Sequence, residues 1–336
     1  MLYNELFDVM KGDMNMSFLR KLMTVMLILS VLILSFCAGV TAEVRTPKPI
    51  ETIPYDEIPP VVEGQHHYLL LCTDVWHGDS TNLGNTDGIV LVTLDSRSHR
   101  VMLTSFIRDA LVYRKNESGK YGIGRINYIA KTNGPDYLCE VISEHIGVKV
   151  EKYIVFDFKQ IERIIDARGG VDITINSSEN DYLKRYAIPR YSTTPVLKGA
   201  GTYHFRGHSA VIYMRIRKAG GGGDFMRTQR VRTVLSTMAD DCRQISYDEA
   251  KELLNVIVEN NVMTNMSFEE MLNAMDIAFG LRDCTVEELR LPPDGAATPI
   301  TYANMSVQEI DWPVCREAMA DYLQNSFLVL DDEDDE

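Results

Sequence analysis

The stretch KYIVFDFKQIERIIDARGGVDITI, residues 152–175, combines two strand patterns with one helix pattern. KYIVFDF and VDITI are short apolar runs that predict β-strands. KQIERIIDARGG between them predicts a helix that ends at the glycine pair, because glycine commonly closes helix C-termini. This order of elements predicts a strand, helix and strand unit of an α/β domain.

The segments before this unit extend the same plan. HYLLLCTD (67–74) is an apolar strand that ends in an aspartate, and GIVLVTLD (88–95) and RVMLTSFIRD (100–109) predict a hairpin joined by the polar turn SRSH. GPDYLCEVISEHI (134–146) has apolar residues near helical spacing. We therefore predict a single layered α/β/α domain with a central mixed sheet over residues 65–328.

A basic segment follows in YMRIRKAGGGGDFMRTQRVR, residues 213–232, within a chain whose formal net charge is -14. The run AVIYMRIR predicts a strand with Arg215 and Arg217 on one face. Asp224, after four glycines, predicts the N-cap of a helix that carries Arg227 in its first turns.

This combination suits a phosphate group. A helix N-terminus offers free N–H groups, and guanidinium groups match phosphate oxygens in two-point contacts. GGGGD lacks the Gly-Lys-Ser/Thr ending of a Walker loop, so a nucleotide-binding P-loop is not predicted. The alternative is a solvated loop whose glycines and arginines share no ligand.

The N-terminal region contains an uncharged run, Leu22–Ala42, that is long enough to span the hydrocarbon layer as a helix. Arg20 and Lys21 precede it and Glu43 follows it, so the positive-inside rule predicts a single-pass cell-membrane protein with a cytoplasmic N-terminus and an extracytoplasmic domain. A cleaved signal peptide and a lipoprotein modified at Cys37 are the alternatives. The bulky residue before that cysteine disfavours the lipoprotein.

The remaining regions are predicted from composition. Residues 1–21 read as a short cytoplasmic segment, 43–64 as an extended proline-rich stalk and 329–336 as a solvated acidic tail. Five cysteines follow the apolar run without a CxxC pair that would indicate a zinc or redox site. Buried free thiols are favoured over a Cys242–Cys284 bridge.

Five segments of the predicted domain share a pattern of aspartates, arginines and glycines. They are LLLCTD (69–74), NTDGIVLVTLDSRSHRVMLTSFIRD (85–109), GRINYIAKTNGPDYL (124–138), FDFKQIERIIDARGGVDI (156–173) and YMRIRKAGGGGDFMRTQR (213–230). In this order they resemble the LytR-CpsA-Psr phosphotransferases of bacterial cell envelopes. The resemblance covers nearly the whole predicted domain.

The resemblance implies an enzyme with a lipid-linked substrate. Such an enzyme transfers an anionic glycopolymer, for example wall teichoic acid or capsule polysaccharide, from a polyprenyl diphosphate carrier to peptidoglycan. A phosphodiester forms and polyprenyl phosphate is released. The substrate requires a membrane anchor and access to membrane lipid, an outward-facing domain, a diphosphate grip and an apolar channel for the lipid.

The resemblance also implies roles for individual residues. Asp74 and Asp87 would hold Mg²⁺, or Mn²⁺, because hard oxygen ligands suit these ions. Five arginines would bind the diphosphate and stabilise its charge as the bond to the leaving phosphate breaks: Arg108, Arg125, Arg215, Arg217 and Arg227. Asp109 and Asp224 are expected to orient arginines, and Asp224 is the better candidate for a base. The expected catalytic set is Arg108, Arg215, Arg217, Asp224 and Arg227.

Simpler interpretations exist for each of these residues, as turn caps, surface ion pairs or exposed loop charges. Arg230 and Arg232 are expected to lie outside the site. Two positions depart from the family pattern, because Ile107 replaces a proline and Val231 replaces a glutamine. Both departures bear on acceptor positioning or rate more than on the diphosphate grip.

Three other functions compete with the transferase. A noncatalytic wall-polymer-binding protein would have no need of Asp74 and Asp87. Nucleic-acid binding is disfavoured by the outward topology and the acidic balance, since duplex binding depends on broad basic surfaces. A polyprenyl diphosphate hydrolase, with water as the acceptor, would use the same residues, and the sequence does not separate it from the transferase.

Overall fold

A six-stranded mixed β-sheet organises the chain in this computed structural model. The structure describes residues 43–75, 83–186, 195–219, 223–284 and 286–323. The chain divides into two compact units, residues 1–44 and 45–336. Of the first unit the structure describes the short strand β1, Glu43–Val44.

Two predictions about the ends of the chain lie outside the described residues. They concern residues 1–42, with the membrane span Leu22–Ala42, and the acidic tail 329–336. Among the helices that the structure does describe, none is both long and apolar enough to cross a membrane.

The second unit contains strands and helices in alternation. The strands are β2 (Gln65–Thr73), β3 (Thr86–Asp95), β4 (Arg100–Phe106), β5 (Leu111–Lys115), β6 (Tyr121–Arg125), β7 (Lys152–Phe156), β8 (Val171–Ile175), β9 (Gly201–Phe205), β10 (Met263–Thr264), β11 (Val286–Leu291), β12 (Ala297–Tyr302) and β13 (Met305–Ile310). The α-helices are α1 (Ile129–Asn133), α2 (Pro135–Ile146), α3 (Phe158–Ala167), α4 (Ser177–Tyr186), α5 (Gly207–Met214), α6 (Gly223–Asp241), α7 (Tyr247–Glu259), α8 (Phe268–Gly280) and α9 (Trp312–Leu323).

The central sheet has the order β10-β7-β2-β3-β4-β11. Strand β3 is antiparallel to both of its neighbours, β2 and β4, whereas β7 runs parallel to β2 and β11 runs parallel to β4. The predicted hairpin is present, with Val90 opposite Ser105 and Asp95 opposite Arg100. Separate antiparallel hairpins form from β5 with β6, β8 with β9, and β12 with β13. The predicted α/β domain with a central mixed sheet is confirmed.

Alternate residues of the central strands face two different apolar layers. Leu69 and Ile89 are buried in one core together with side chains of α2 and α9. Val90 and Leu103 are buried in another core together with side chains of α3, α5 and α6. Because side chains alternate across a strand, the sheet separates the two helical layers.

Helices near the site start and stop where the sequence supplies suitable residues. Pro135 occupies the first turn of α2, where its missing N–H costs no hydrogen bond, and Gly147 ends the helix with a left-handed φ of 71°. Asp157 and Gln160 form a reciprocal capping box at the start of α3. These caps fix the ends of β7 and α3 beside the site.

The proline-rich segment 45–64 forms neither helix nor strand, yet it lies against the domain instead of standing clear as a stalk. The Ile53 N–H donates to the Glu144 carbonyl at 2.9 Å, and Lys48 N–H donates to the Glu309 carboxylate at 2.8 Å. Ile58 is 3% exposed. The folded unit therefore begins at Arg45.

The predicted strand AVIYMRIR was wrong, because most of it belongs to helix α5, which ends at Met214. Four of its apolar residues are buried at the spacing i, i+1, i+3 and i+4, which is one face of a helix: Ala210, Val211, Tyr213 and Met214. The alternation that suggested a strand holds only for the last residues of the run. The helical face against the second core decided the conformation.

Candidate functional site

Asp87, the second residue of β3, lies at the centre of an arginine cluster. Its Oδ1 accepts a hydrogen bond from Arg108 Nη1 at 2.6 Å. Its Oδ2 lies 3.1 Å from Arg217 Nη2 and 3.0 Å from Arg227 Nη1. These four residues, termed the Asp87 cluster, unite three of the five arginines predicted to bind a diphosphate.

Different elements deliver the three arginines. Arg108 follows β4, whose end lies beside the start of β3 in the antiparallel hairpin. Arg217 follows α5 and its side chain is 48% exposed, whereas Arg227 projects from α6 and is 2% exposed. The cluster therefore has a buried side at Arg227 and an open side at Arg217, from which an anion can approach.

The electrostatics of the cluster favour an anionic ligand. Burial raises the pKa of Asp87, but the nearby guanidinium groups of Arg227, Arg108 and Arg217 outweigh it and hold that pKa below its usual value. Asp87 is therefore ionised at neutral pH. Three cations around one carboxylate leave an excess of positive charge, and guanidinium groups bind phosphate oxygens as readily as carboxylate oxygens.

Asp109 connects the cluster to Arg125. Asp109 Oδ2 is 3.4 Å from Arg108 Nε, and Asp109 Oδ1 is 3.0 Å from Arg125 Nη1. The Arg125 guanidinium stacks 4.4 Å from the centroid of the Tyr128 ring and also contacts the Tyr128 hydroxyl. Tyr128 was missed in the sequence, although its position three residues after Arg125 could have indicated the contact.

Arg215 occupies a different place from Arg217, since no strand face holds the two together. Arg215 is the C-cap residue of α5, and its guanidinium lies 4.3 Å from the centroid of the Phe158 ring. The positive charge of Arg215 acts on the thiol of Cys72, near the end of β2. Burial and the Asp87 charge raise the pKa of Cys72 to about 12, against the opposing effects of Arg227 and Arg215. Cys72 is thus a neutral thiol, which excludes a thiolate nucleophile.

Asp74 lies beside Asn85, immediately before β3. Its Oδ1 accepts from the Asn85 backbone N–H at 2.8 Å, and its Oδ2 accepts from Asn85 Nδ2 at 2.9 Å. Gly84 has a φ of 67°, and a Cβ there would lie 2.5 Å from Asp74 Oδ1. Only glycine fits this turn without a clash.

The carboxylates of Asp74 and Asp87 were predicted to hold Mg²⁺, and their oxygen donors are of the kind that this ion binds. Both are hard oxygen donors, and Mg²⁺ commonly binds one or two carboxylates together with substrate phosphates. No group of three or more His, Cys, Asp or Glu side chains among the described residues could form a closed cage. The donor set therefore fits a metal only where phosphate oxygens complete the coordination.

For Asp224, a predicted catalytic residue, the structure describes only its place in a helix. Helix α6 begins at Gly223, so Asp224 stands in the first helical turn and not before it. Its side chain and the glycines at 220–222 lie outside what the structure describes.

Arg230 and Arg232 point away from the Asp87 cluster. Arg230 is 1% exposed, with Nε 2.6 Å from Glu179 Oε1 and Nη1 donating to the Ile216 carbonyl at 2.8 Å. Arg232 pairs with Glu288 at 3.1 Å. Arg230 thereby fixes the segment that carries Arg217, which is a supporting role.

An apolar cavity adjoins the cluster on the side of α6. It comprises two neighbouring volumes of about 140 and 390 Å³ that share Leu70, Leu235 and Ile257 in their walls. The smaller volume begins at Cys72 and Gly88, next to Asp87. The larger one continues under α7 and α8. Its walls resemble those of a site for a long hydrocarbon chain.

The two departures from the family pattern lie beside these features. Val231 lines the smaller volume of the cavity. Ile107 is 1% exposed within the first core, immediately before Arg108. The valine makes the cavity wall more apolar than a glutamine would. The isoleucine positions Arg108 by burial, without the fixed backbone of a proline.

The fold and the site together define an α/β domain that carries an arginine cluster beside an apolar cavity. A family model described as the LytR_cpsA_psr family matches residues 48–316. The chain therefore belongs to the LytR-CpsA-Psr family.

Named relatives have limited sequence identity. The polyisoprenyl-teichoic acid–peptidoglycan teichoic acid transferase TagV of Bacillus subtilis (strain 168) is 24% identical over 213 residues, which cover 62% of this chain and 52% of TagV. The corresponding transferase TagU of Bacillus licheniformis is 25% identical over 232 residues, covering 69% of each chain. Biofilm regulatory protein A of Streptococcus mutans is 25% identical, covering 59% of this chain and 49% of that protein. The chain spans about half the length of TagV and of the biofilm protein.

Solved structures share the fold. TagT bound to LIIa-WTA superposes with a TM-score of 0.61 at 22% identity, covering 85% of this chain and 97% of TagT. The crystal structure of Bacillus subtilis TagV gives a TM-score of 0.60 at 21% identity, covering 79% of this chain and 99% of the TagV chain. At these identities the likeness establishes the architecture of the domain.

Proposed function

We propose that this chain transfers an anionic glycopolymer from a polyprenyl diphosphate carrier to peptidoglycan and releases polyprenyl phosphate. The observation that carries this proposal is that the Asp87 cluster lies next to Cys72 and Gly88, which line the smaller volume of the apolar cavity. A charged grip beside an apolar channel suits a diphosphate that is attached to a hydrocarbon chain. The names of TagV and TagU support teichoic acid, or a similar wall polymer, as the class of cargo.

In the proposed reaction an acceptor hydroxyl attacks the phosphorus that bears the polymer. A new P–O bond forms to the acceptor, the bridging P–O bond breaks, and its electron pair stays on the departing polyprenyl phosphate. Arg108, Arg217 and Arg227 stabilise the negative charge that develops, and Arg125 and Arg215 add positive charge around it. Asp224 takes the hydroxyl proton, since Asp87 and Asp109 are held in ion pairs with arginines.

Asp74 and Asp87 would hold Mg²⁺, or Mn²⁺, with phosphate oxygens of the donor. A metal ion held there would supply positive charge that neutralises the diphosphate and the leaving phosphate. We expect transfer to stop in EDTA and to return with either ion. Asp87→Ala should lose this rescue at ordinary metal concentrations, whereas Arg217→Ala should weaken binding of the lipid diphosphate even without metal. Undiminished transfer in thoroughly chelated protein would exclude the metal.

A cell-membrane location with the domain outside accompanies this function. The support is the run Leu22–Ala42 with Arg20 and Lys21 before it. A retained anchor would keep the domain at the surface where its lipid-linked donor resides.

The proposal is tested by incubating the full chain, purified in detergent, with a polyprenyl diphosphate-linked glycopolymer and soluble peptidoglycan fragments. Polyprenyl phosphate should appear only when the acceptor fragments are present. Release of equal amounts without the acceptor would identify a diphosphate hydrolase. Bound polymer with no cleavage under any metal condition would identify a noncatalytic wall-polymer-binding protein.

A further inference from the structure

The β5–β6 hairpin presents an exposed aromatic pair close to the site. Tyr113 is 38% exposed and Tyr121 is 54% exposed, and their rings stack with centroids 5.4 Å apart and an interplanar angle of 18°. The Lys115 Nζ lies 5.2 Å from the Tyr121 centroid. Tyrosine rings that stack in solvent form a flat apolar surface with polar edges, which is typical of recognition sites.

The same face of the hairpin leads to the Asp87 cluster. Tyr121, Ile123 and Arg125 alternate along β6 and therefore share one face. Arg125 is joined through Asp109 to Arg108. Arg125 lies four residue steps along the strand from Tyr121, a distance of roughly 13 Å, which is the length of a few sugar rings.

The hairpin is held in place by helix α2. The Tyr113 N–H donates to His145 Nε2 at 3.0 Å, and the Lys115 N–H donates to the Tyr137 hydroxyl at 2.8 Å. His145 and Tyr137 therefore accept hydrogen bonds from alternate backbone N–H groups along β5. The aromatic pair is thus presented on a fixed strand, and binding to it requires little ordering of the protein.

The hairpin is also basic. Residues 111–125 contain the cations Arg114, Lys115, Lys120 and Arg125 and one acidic residue, Glu117, in a chain with a net charge of -14. Lys115 shares the face of the tyrosines, because it lies directly opposite Tyr121 in the hairpin, whereas Arg114 lies on the other face, across Gly124. The surface therefore complements a ligand that combines sugar rings with carboxylate groups.

The position of the hairpin favours the acceptor over the donor. The apolar cavity lies on the face of the sheet that carries Val90 and Leu103. The hairpin is anchored on the opposite face, where Val112 is buried in one core with Ile89. In phosphoryl transfer the attacking and leaving oxygens lie roughly in line. An acceptor should therefore approach from the side opposite the lipid.

We propose that the aromatic pair Tyr113 and Tyr121, with Lys115, is the docking surface for the acceptor glycan, a strand of N-acetylated sugars that carries carboxylate groups. This inference rests on the proposed transferase function. Sugar rings stack through their C–H faces on the two tyrosines, and Lys115 binds the carboxylates. The strand then passes along β6 towards Arg125, which brings an acceptor hydroxyl to the Asp87 cluster.

The test measures binding of soluble peptidoglycan fragments to the full chain in detergent by calorimetry. The double variant Tyr113→Ala/Tyr121→Ala should bind them roughly tenfold more weakly, since it loses two aromatic contacts. Phe268→Ala is the matched control, because Phe268 is equally exposed at 54% on a different element, and it should bind normally. Tyr121→Phe keeps the ring and should retain most of the affinity. In the transfer assay the double variant should raise KM for the acceptor without changing affinity for the lipid diphosphate.

Several results would overturn the inference. The first is equal affinity of the double variant and the unchanged protein for the peptidoglycan fragments. The second is the absence of saturable fragment binding by the unchanged protein. The third is a double variant that binds the fragments normally but loses affinity for free glycopolymer without lipid. The last result would assign the surface to the donor. If the double variant loses fragment binding but the unchanged protein never cleaves the donor, the docking surface stands and the transferase function fails.

Discussion

Asp87 holds three guanidinium groups close together, although like charges at this distance repel one another. Its carboxylate offsets that repulsion, and its lowered pKa keeps it ionised across neutral pH. A diphosphate entering from the side of Arg217 finds the arginines already oriented. Preorganised donors of this kind cost little reorganisation when charge develops in a transition state.

Arg217 is the member of the cluster best suited to a test, because it is 48% exposed and its removal should leave the fold intact. We expect Arg217→Ala to reduce transfer by roughly 10²-fold, the scale for loss of one preorganised charge-stabilising donor. Lys218→Ala is the matched control, since it removes a neighbouring exposed cation. Circular dichroism and initial rates measure the outcome. Unchanged activity in a folded Arg217→Ala protein would remove Arg217 from the site.

The cavity between the sheet and helices α6 to α8 is a space that the described side chains leave unfilled. Leu235 lines both of its volumes. Leu235→Trp should fill the junction and block a long polyprenyl chain, while a donor with a short chain still reaches the Asp87 cluster. Relative rates on long-chain and short-chain donors measure the effect. Equal losses on both donors would show that the chain does not occupy this cavity.

Helix α2 and strand β2 each contain a buried histidine. Burial is the main cause that lowers the pKa of both His145 and His67 to about 4. His145 donates from Nδ1 to the Val141 carbonyl at 2.6 Å and accepts the Tyr113 N–H at Nε2, so only its neutral form satisfies both partners. Each histidine therefore stabilises the fold above pH 6.5, and this contribution is lost as pH falls from 6.5 towards 4.

We expect the free energy of unfolding to fall by roughly 2 kcal/mol per buried histidine between pH 7 and pH 5. Urea denaturation at the two pH values measures this change. His145→Gln should be less stable at pH 7 but should show a smaller pH dependence. A pH dependence that is the same with and without His145 would contradict the buried neutral state.

The sequence predicted elements well where one local pattern was sufficient. The β3–β4 hairpin and helices α2 and α3 were found because alternation, caps and glycine ends act within a few residues. AVIYMRIR failed because burial against the second core selected a helix where the local pattern also fitted a strand. The contact of Arg230 with the segment that carries Arg217 depends on tertiary packing, which spacing alone did not reveal.

The membrane topology of the chain determines which substrates the domain can bind. A single-pass protein with a cytoplasmic N-terminus would place the Asp87 cluster outside the membrane, where peptidoglycan and the lipid-linked donor are available. We expect protease added to intact cells to degrade the domain. Complete protection of residues 45–323, with degradation only after lysis, would contradict this topology.

In the proposed reaction an acceptor hydroxyl, and not water, takes the polymer-bearing phosphate. The most direct measurement runs the complete reaction in ¹⁸O-labelled water and determines the mass of the phosphate-containing product. Transfer predicts polymer joined to peptidoglycan through a phosphodiester that contains no ¹⁸O, together with unlabelled polyprenyl phosphate. Free polymer phosphate that carries one ¹⁸O atom, without a peptidoglycan adduct, would contradict the account and assign the same site to a hydrolase.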